Sequence, residues 1–355
     1  MSQENQNIQE EPHKRRVRYK GKYPRNYKEK YKELNPEKYQ DTIEKVIRKG
    51  STPAGMHISI MVKEIIDFLQ IKPGQTGFDA TLGYGGHTKA MLECLKGQGH
   101  MYATDVDPIE SAKTKKRLAD AGFGEDILTI RLQNFCTIDE IAKEAGGFDF
   151  VLADLGVSSM QIDNPDRGFS FKVDGPLDLR LNPEKGISAA ERLAQIDEDE
   201  LAGMLWENSD EPYAEELAHA IVTERKHGKP IDTTTRLREV IEETLSFLPE
   251  KEKKDTVKKT CQRTFQALRI DVNNEFEVLY EFMEKLPGAL KPGGRAAILT
   301  FHSGEDKLVK KALKQGYKEG IYSEIANDVV GPSAEECAQN GRARSTKMRW
   351  AVRAE

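Results

Sequence analysis

The chain has 355 residues, of which 37% are hydrophobic and 32% are charged, which indicates one large globular domain or two ordinary ones. No apolar run approaches the roughly 20 residues that a membrane-spanning helix needs, and the first residues have no apolar segment of a secretory signal. Four widely spaced cysteines without a CxxC pair favour a cytoplasmic protein and argue against a disulfide framework or a zinc knuckle.

Residues 1–50 carry fourteen Lys or Arg against eight Asp or Glu, a net charge of +6, so the remainder carries -5 minus 6, or -11. Four tyrosines alternate with these cations: Tyr19, Tyr23, Tyr27 and Tyr31. We predict a flexible basic extension. It could stack on and pair with RNA, pack on the body, or remain a solvated tail.

From residue 58 onward the sequence alternates between helical and strand patterns. Buried strands are predicted at QTGFDAT, HMYATDVD, ILTIRLQN and FDFVLADLG, with helices between them. This alternation is typical of βαβ units in a parallel sheet, so we predict an α/β fold.

The alternation stops between residues 164 and 262, where turns precede three long segments of helical periodicity. We predict an inserted helical domain here, with a capping box formed by Ser188 and Glu191. After it we predict one helix over 263–286, a Lys-Pro-Gly-Gly turn, the strand RAAILTF and a further helix. TKMRWAVRA is predicted to close the chain as an edge strand.

Three predicted strands end in Asp79, Asp105 and Asp154, at the sheet edge where α/β proteins bind ligands. Glycines follow the first strand, but Thr88 occupies the third position of a GxGxxG pattern and no P-loop lysine follows. A glycine turn with an acid after the second strand suits S-adenosyl-L-methionine, whose ribose hydroxyls Asp105 would bind. The alternative is that Asp105 or Asp107 caps the next helix, and we assign the cap to Asp107.

Asp154 opens the segment DLGVSSMQ, at a position where many amino-group methyltransferases carry an acid or an amide. An exocyclic amine on a base is a poor nucleophile because its lone pair is delocalised into the ring. Asp154 could accept the amine hydrogens, and Ser158, Ser159 or Gln161 could hold the base or the donor. The alternative is a turn acid that binds its own backbone.

His302 and Ser303 follow the fifth strand at the same edge, where a target base would enter, and His87 begins the first helix after the glycines. Neither histidine has a His or Cys neighbour at metal-ligand spacing, so we expect no metal. Four cations lie between Arg342 and Arg349, including Arg344. They could contact phosphate or keep an edge strand soluble.

These motifs together resemble the RsmH (MraW) family of 16S rRNA (cytidine-N4)-methyltransferases. The matching residues begin at His57 and end at Arg349, in the order of the family: GGH at Gly85, DVDP at Asp105, DLGVSS at Asp154, RGFSF at Arg167, DGPLDLR at Asp174, RTFQALRI at Arg263, FHSGEDK at Phe301 and RARS at Arg342. The chain departs from the family pattern at Ala80, Met160, Asp271 and Gly304, the last replacing a usual Leu, and in its basic extension.

The resemblance implies a class I methyltransferase fold, Rossmann-like, with a mostly parallel seven-stranded sheet and an inserted helical domain. Residues 51–163 and 263–355 would form the methyltransferase domain, and residues 164–262 would recognise RNA. The implied reaction is N4-methylation of a cytidine in the decoding region of 16S rRNA, as free RNA or in an assembling 30S subunit. A divergent relative could instead methylate another cytidine, or retain the fold only to bind RNA.

The resemblance also implies the site residues. The donor, S-adenosyl-L-methionine, would contact Gly85, Gly86, His87, Asp105, Phe135, Asp154 and Gln161. Catalytic roles would fall to Asp154, His302 and Ser303. RNA contacts would come from Ser158, Ser159, Arg167, Phe169, Arg180, Arg263, Arg342 and Arg344.

Overall fold

The computed structural model describes residues 59–355, so the predictions for residues 1–50 and for His57 lie outside it. Its centre is a seven-stranded sheet with the order β3-β2-β1-β4-β5-β7-β6. The strands are β1 Thr76–Asp79, β2 His100–Asp105, β3 Leu128–Leu132, β4 Phe148–Asp154, β5 Leu290–Thr300, β6 Tyr322–Ile325 and β7 Lys347–Arg353. The predicted α/β class with a mostly parallel sheet is confirmed.

β7 is the strand whose place in the sheet was predicted wrongly. It lies between β5 and β6 and pairs antiparallel with both, so it is not an edge strand. The short strand β6 covers its outer side and was not predicted, because only four residues form it and two of them are exposed. Met348, Arg349 and Ala351 of β7 are consequently buried.

The helices pack on the two faces of the sheet and in the insertion. In chain order they are α1 Val62–Leu69, α2 Gly86–Leu95, α3 Pro108–Asp120, α4 Ile138–Ala145, α5 Ser159–Asp163, α6 Ala189–Gln195, α7 Glu198–Ser209, α8 Ala214–Lys226, α9 Thr234–Thr244, α10 Glu250–Asn273, α11 Glu275–Ala289, α12 Ser303–Lys318 and α13 Ala334–Gln339. None of the helices between residues 59 and 355 is long and apolar enough to cross a membrane.

The predicted helix over 263–286 is two helices. α10 starts earlier, at Glu250, and ends at Asn273, because Asn274 adopts a left-handed conformation with φ 49°. Asparagine tolerates this conformation better than most residues, so the sequence periodicity continues while the backbone turns. The predicted Lys-Pro-Gly-Gly turn lies inside β5, where the pairing with β4 shifts its register.

The helical periodicity after Ser188 is also divided, between α6 and α7. The predicted capping box of Ser188 and Glu191 is confirmed at the start of α6. Asp197 then caps α7 by accepting from the backbone N–H of Glu200. A polar cap in the middle of a periodic stretch therefore marks a break between two helices.

The apolar core has separate parts in the insertion and on each face of the sheet. β5 shows how the sheet divides the core, because successive side chains of a strand point to opposite faces. Ala296 and Ile298 join the cluster on one face, whereas Ala297 and Leu299 join the cluster on the other. A third cluster, between Leu177 and Leu268, is built from the helices of the insertion and most of α10.

Candidate active site

A cavity of about 410 Å³ opens at the carboxyl ends of the central strands. β1, β2 and β4 are neighbours in the sheet and end at Asp79, Asp105 and Asp154, as the sequence predicts. The seven residues assigned to the donor all line this cavity: Gly85, Gly86, His87, Asp105, Phe135, Asp154 and Gln161. They converge because the ends of parallel strands lie at one edge of a sheet.

Asp105 is held by two backbone N–H groups. Gly83 N donates to Oδ2 at 2.8 Å and Asp107 N donates to Oδ1 at 2.8 Å. Each carboxylate oxygen retains a second lone pair, so the group could still accept from two hydroxyls. Burial raises the pKa of Asp105 to about 6, against the effect of these two hydrogen bonds.

The glycine loop is shaped by packing as well as by ligand access. Gly85 has φ 82°, and a Cβ at this position would lie 2.7 Å from Thr114 Cγ2. A Cβ on Gly86 would lie 2.0 Å from Ser59 Oγ. Both neighbours belong to the protein, so these glycines let α2 begin close to α3 and to the segment before α1.

Asp79 and Asp107 have structural roles. Asp79 is 1% exposed. Its carboxylate accepts hydrogen bonds from Thr88 Oγ1 at 2.6 Å and from Thr81 N at 3.0 Å. Asp107 caps α3 by accepting from two backbone N–H groups, which confirms the assignment of the cap to Asp107. Neither residue lines the cavity, whereas Asp105 does.

Phe135 forms an apolar wall of the cavity beside Asp105. It begins a short 3-10 helix after β3, and its ring meets Phe282 edge to face at 5.2 Å. Phe282 is fully buried, so Phe135 is fixed from behind and presents a half-buried ring to the cavity. An aromatic base could pack against this ring.

Asp154 and His87 meet on the floor of the cavity. His87 is 7% exposed, its Nε2 lies 2.8 Å from the carbonyl oxygen of Ile60, and its Nδ1 lies 3.4 Å from Asp154 Oδ2. Asp154 Oδ1 is buried and has no hydrogen-bond partner between residues 59 and 355. Burial raises the pKa of Asp154 to about 6, and His87 opposes this rise.

A second charged group lines another part of the cavity wall. Glu305 accepts from Phe301 N at 2.9 Å, and its Oε1 lies 3.1 Å from His302 Nε2. Although burial acts in the other direction, His302 and Arg269 hold the pKa of Glu305 below its ordinary value. Arg269 also makes a bidentate pair with Glu275 at 2.8 and 2.9 Å.

This wall also has the geometry of a cation site. Ligand atoms of Glu275, His302 and Glu305 lie within 4.8 Å of one another. Spacing along the sequence could not reveal this group, because Glu275 comes from α11 and the other two from the start of α12. The guanidinium of Arg269 already compensates the charge of Glu275, which weakens the attraction for a metal ion.

Gln161 and Arg167 join a buried network around Asp107. Asp107 Oδ2 accepts from Gln161 Nε2 at 2.9 Å and from Arg167 Nη1 at 2.7 Å. Arg167 Nη2 also donates to the carbonyls of Arg180 and Leu181. Arg167 is 7% exposed, so its guanidinium joins the donor side of the cavity to the insertion and does not face solvent.

The remaining predicted RNA residues are dispersed. Ser158 caps α5 and lines the cavity with Arg342, whose Nη2 donates to Asp163 Oδ2 at 2.9 Å. The structure does not describe the side chain of Ser159. Several predicted RNA contacts do not line the cavity: Phe169, which packs on the helical core, Arg180, which pairs with Asp178, half-buried Arg263 and exposed Arg344. Ser303, which was predicted to be catalytic, is exposed and does not line the cavity either.

Sequence reasoning missed Arg269, Glu275 and Glu305 as cavity residues. Arg269 and Glu305 lie within RTFQALRI and FHSGEDK, so the motifs carried the signal without showing which side chains face the cavity. Gly304 illustrates the same limit, because a Cβ there would lie 2.6 Å from Phe276 Cζ. A leucine at this position would therefore require Phe276 to move.

Comparison with known proteins agrees with this geometry. The family described as the MraW methylase family matches residues 54–354. A relative from Agathobacter rectalis, "Ribosomal RNA small subunit methyltransferase H 1", is 82% identical over 98% of this chain and 99% of its own length. A protein of the same name from Lachnoclostridium phytofermentans is 71% identical over 98% of this chain and 94% of its own. The resemblance inferred from the motifs is thereby confirmed, and the chain belongs to the MraW methylase family.

Proposed function

We infer that this protein transfers a methyl group from S-adenosyl-L-methionine to N4 of a cytidine in the decoding region of 16S ribosomal RNA. The observation that carries the inference is the convergence of Asp105, Asp154 and the aromatic ring of Phe135 on one cavity. The cofactor supplies an electrophilic methyl group on a positively charged sulfur. The protein has to hold it, exclude water and present the amine.

The donor side fits this cofactor. Asp105 would accept hydrogen bonds from the ribose hydroxyls, using the lone pairs that Gly83 N and Asp107 N leave free. Phe135 would pack against the adenine ring. Gln161 lines the same side, but its amide already binds Ser158 N and Asp107, so it would hold the cavity wall in place.

The amine side centres on Asp154. Its Oδ1 is buried without a partner between residues 59 and 355 and would accept a hydrogen from the cytidine amine. This contact draws the nitrogen toward tetrahedral geometry and frees its lone pair to attack. Methyl transfer would leave one N–H proton of the amine to be lost, and Asp154, whose pKa burial raises, would accept it.

His302 is placed to receive the base. Its Nε2 lies 3.1 Å from Glu305 Oε1, and its ring lies 5.8 Å from the ring of Phe276. A cytidine entering the cavity must leave its stack at a cost of a few kcal/mol, which contacts with this wall would offset. Ser303 is the exposed first residue of α12, and its catalytic role remains a prediction.

The RNA surface is proposed to include residues 164–262, Arg342 and the basic residues 1–50. We propose small-subunit rRNA, free or in an assembling 30S subunit, as the substrate. We propose the cytoplasm as the place of the reaction, because small-subunit rRNA is available there. Arg342 lies at the cavity rim, where its pair with Asp163 is 41% exposed on the arginine side. It could exchange that carboxylate for a phosphate.

The test is methyl transfer from a labelled donor to small-subunit RNA and to 30S particles. Asp105→Ala is expected to lower donor affinity, and Asp154→Ala is expected to lower the rate more than donor affinity. A purified protein that binds no donor would overturn the assignment. Mapping N4-methylcytidine in cells with and without the gene identifies the nucleotide, and full cellular function of the Asp154 variant would instead favour a binding module.

A further inference from the structure

Helix α10 runs from the cavity to the outer surface of the insertion. Gln266, Arg269 and Asn273 line the cavity, and their spacing of three and four residues places them on one face of the helix. The opposite face is apolar and includes Val257, Cys261, Phe265 and Leu268. The rotational position of the whole helix is therefore fixed by its core contacts.

Toward the start of α10, residues on this same face of the helix lie outside the cavity and are exposed. They are Gln262, Lys259, Lys258, Asp255 and Lys251. We call Lys251, Lys258 and Lys259 the lysine stripe. With a rise of 1.5 Å per residue, Lys258 lies about 12 Å and Lys251 about 22 Å along the helix from Gln266.

The charge of the lysine stripe contrasts with that of the surrounding chain. Residues 51–355 carry a net charge of -11, obtained as -5 minus 6, yet the stripe with Asp255 carries +2. Lys251 and Lys258 have no ion-pair partner among the described residues, and Lys259 makes only an exposed pair with Asp255 at 2.8 Å. Little stabilising energy would be lost if these ammonium groups bound another anion.

We propose that the lysine stripe binds phosphates of the RNA strand that flanks the target cytidine. The inference rests on the proposed function and adds the path that the strand takes. The cavity must receive one nucleotide, and the nucleotides next to it must leave over an adjoining surface. α10 provides such a surface because one face of one helix borders the cavity and then carries cations spaced over a few nucleotides.

The test compares two triple variants that each lose three positive charges. Lys251→Gln/Lys258→Gln/Lys259→Gln removes the stripe and keeps good helix-forming residues. Lys310→Gln/Lys311→Gln/Lys314→Gln is the control, because these lysines of α12 are also exposed and do not line the cavity. Affinity for purified small-subunit rRNA is measured over a range of salt concentrations, together with donor affinity.

We expect the stripe variant to bind RNA about tenfold more weakly at low salt, with a salt slope reduced by about 2. Donor affinity should stay unchanged in both variants, and the control should bind RNA like the parent. The proposal is wrong if the stripe variant keeps the parental affinity and slope, or if the control loses as much.

The same measurements separate this proposal from the proposed function. If the parent protein binds the donor and methylates RNA while the stripe variant is indistinguishable from it, only the path of the RNA is wrong. If the parent itself binds no donor, the proposed function fails whatever the stripe does.

Discussion

At the scale of one residue, Asp154 is unfavourable for the stability of the folded protein and well suited to bind an amine. Its carboxylate is largely removed from water, and one oxygen has no hydrogen-bond partner among the described residues. Burial therefore disfavours the charged form and raises its pKa to about 6, with Asp79 and Glu305 adding repulsion. A group that destabilises the empty protein in this way can accept both a hydrogen bond and a proton from a substrate.

Asp154→Asn should stabilise the ligand-free protein and slow methyl transfer, because the amide oxygen can still accept an amine hydrogen but cannot take up the proton. A raised pKa in the folded state means that stability falls as the pH rises from the unfolded value, near 4, through about 6. Removing the charge should gain about 1–2 kcal/mol at pH 8 and little at pH 4.5. Denaturant unfolding at both pH values measures this, and a variant less stable than the parent at pH 8 would contradict it.

At the scale of elements, β7 is fixed in the sheet by a buried ion pair. Arg349 Nε donates to Asp306 Oδ1 at 2.6 Å, and Nη2 reaches Oδ2 at 3.2 Å. The sequence suggested that Arg349 belonged to a group of cations that touch phosphate or keep an edge soluble. Because β6 covers β7, this arginine instead joins the last strand to α12, which starts beside His302.

Arg349→Met should lower the free energy of unfolding by about 3–5 kcal/mol, because it leaves a buried carboxylate without its main partner. Arg349 and its neighbour Lys347 hold the pKa of Asp306 below its ordinary value, although burial opposes them. The stabilisation is therefore present above the unfolded pKa and is lost as the pH falls. The double variant Arg349→Met/Asp306→Asn should recover part of the loss in urea titrations at pH 7, and no recovery would contradict the pairing.

The network around Asp107 joins two elements that are far apart in the sequence. Asp107 caps α3 immediately after the donor loop, whereas Arg167 belongs to the start of the insertion. Asp107 also organises Asp105, because its backbone N–H donates to that carboxylate. Arg167 is therefore a positioning residue: it contacts neither the proposed donor nor the cavity but orients the residues that do.

Arg167→Gln should weaken donor binding about tenfold, since an uncompensated Asp107 would shift Gln161 and the loop before α3. Arg192→Gln is the matched control. Arg192 is a half-buried arginine of the insertion, and it pairs with Asp271, which does not line the cavity. Isothermal titration with S-adenosyl-L-methionine distinguishes the two. Equal donor affinities in both variants, with only a loss of thermal stability, would show that the network has no positioning role.

For the whole molecule, ligand binding and folding are expected to be linked through the cavity. The cavity is lined by residues from both ends of the described chain, from Ser59 to Ser345. A donor can bind there only when the protein is folded, because these residues are close together only in the folded chain. Occupying the cavity should thus stabilise the protein as one unit.

S-adenosyl-L-methionine at 100 times its Kd should raise the free energy of unfolding by about 2.7 kcal/mol. Thermal unfolding with and without the donor measures the effect as an increase in Tm. The same donor concentration should shift the Asp105→Ala variant much less, since its affinity is reduced. Equal shifts in parent and variant would mean that Asp105 is not a donor ligand.

The sequence by itself determined the α/β class, the strands that end in Asp79, Asp105 and Asp154, and the cap at Asp107. Each of these depends on local patterns: short apolar runs typical of buried strands, helical spacing between them and a short polar residue before a helix. The family followed from motifs whose order along the chain is specific.

Only the tertiary structure decided which polar side chains can contact a ligand and which form ion pairs within the protein. Arg167 and Arg349 are indistinguishable from phosphate-binding arginines in the sequence, yet both are buried in ion pairs. Arg269, Glu275 and Glu305 face the cavity because α10, α11 and α12 meet there. Whether a charge meets another charge or a ligand depends on contacts between distant segments, and those are set by packing of the folded chain and not by local propensity.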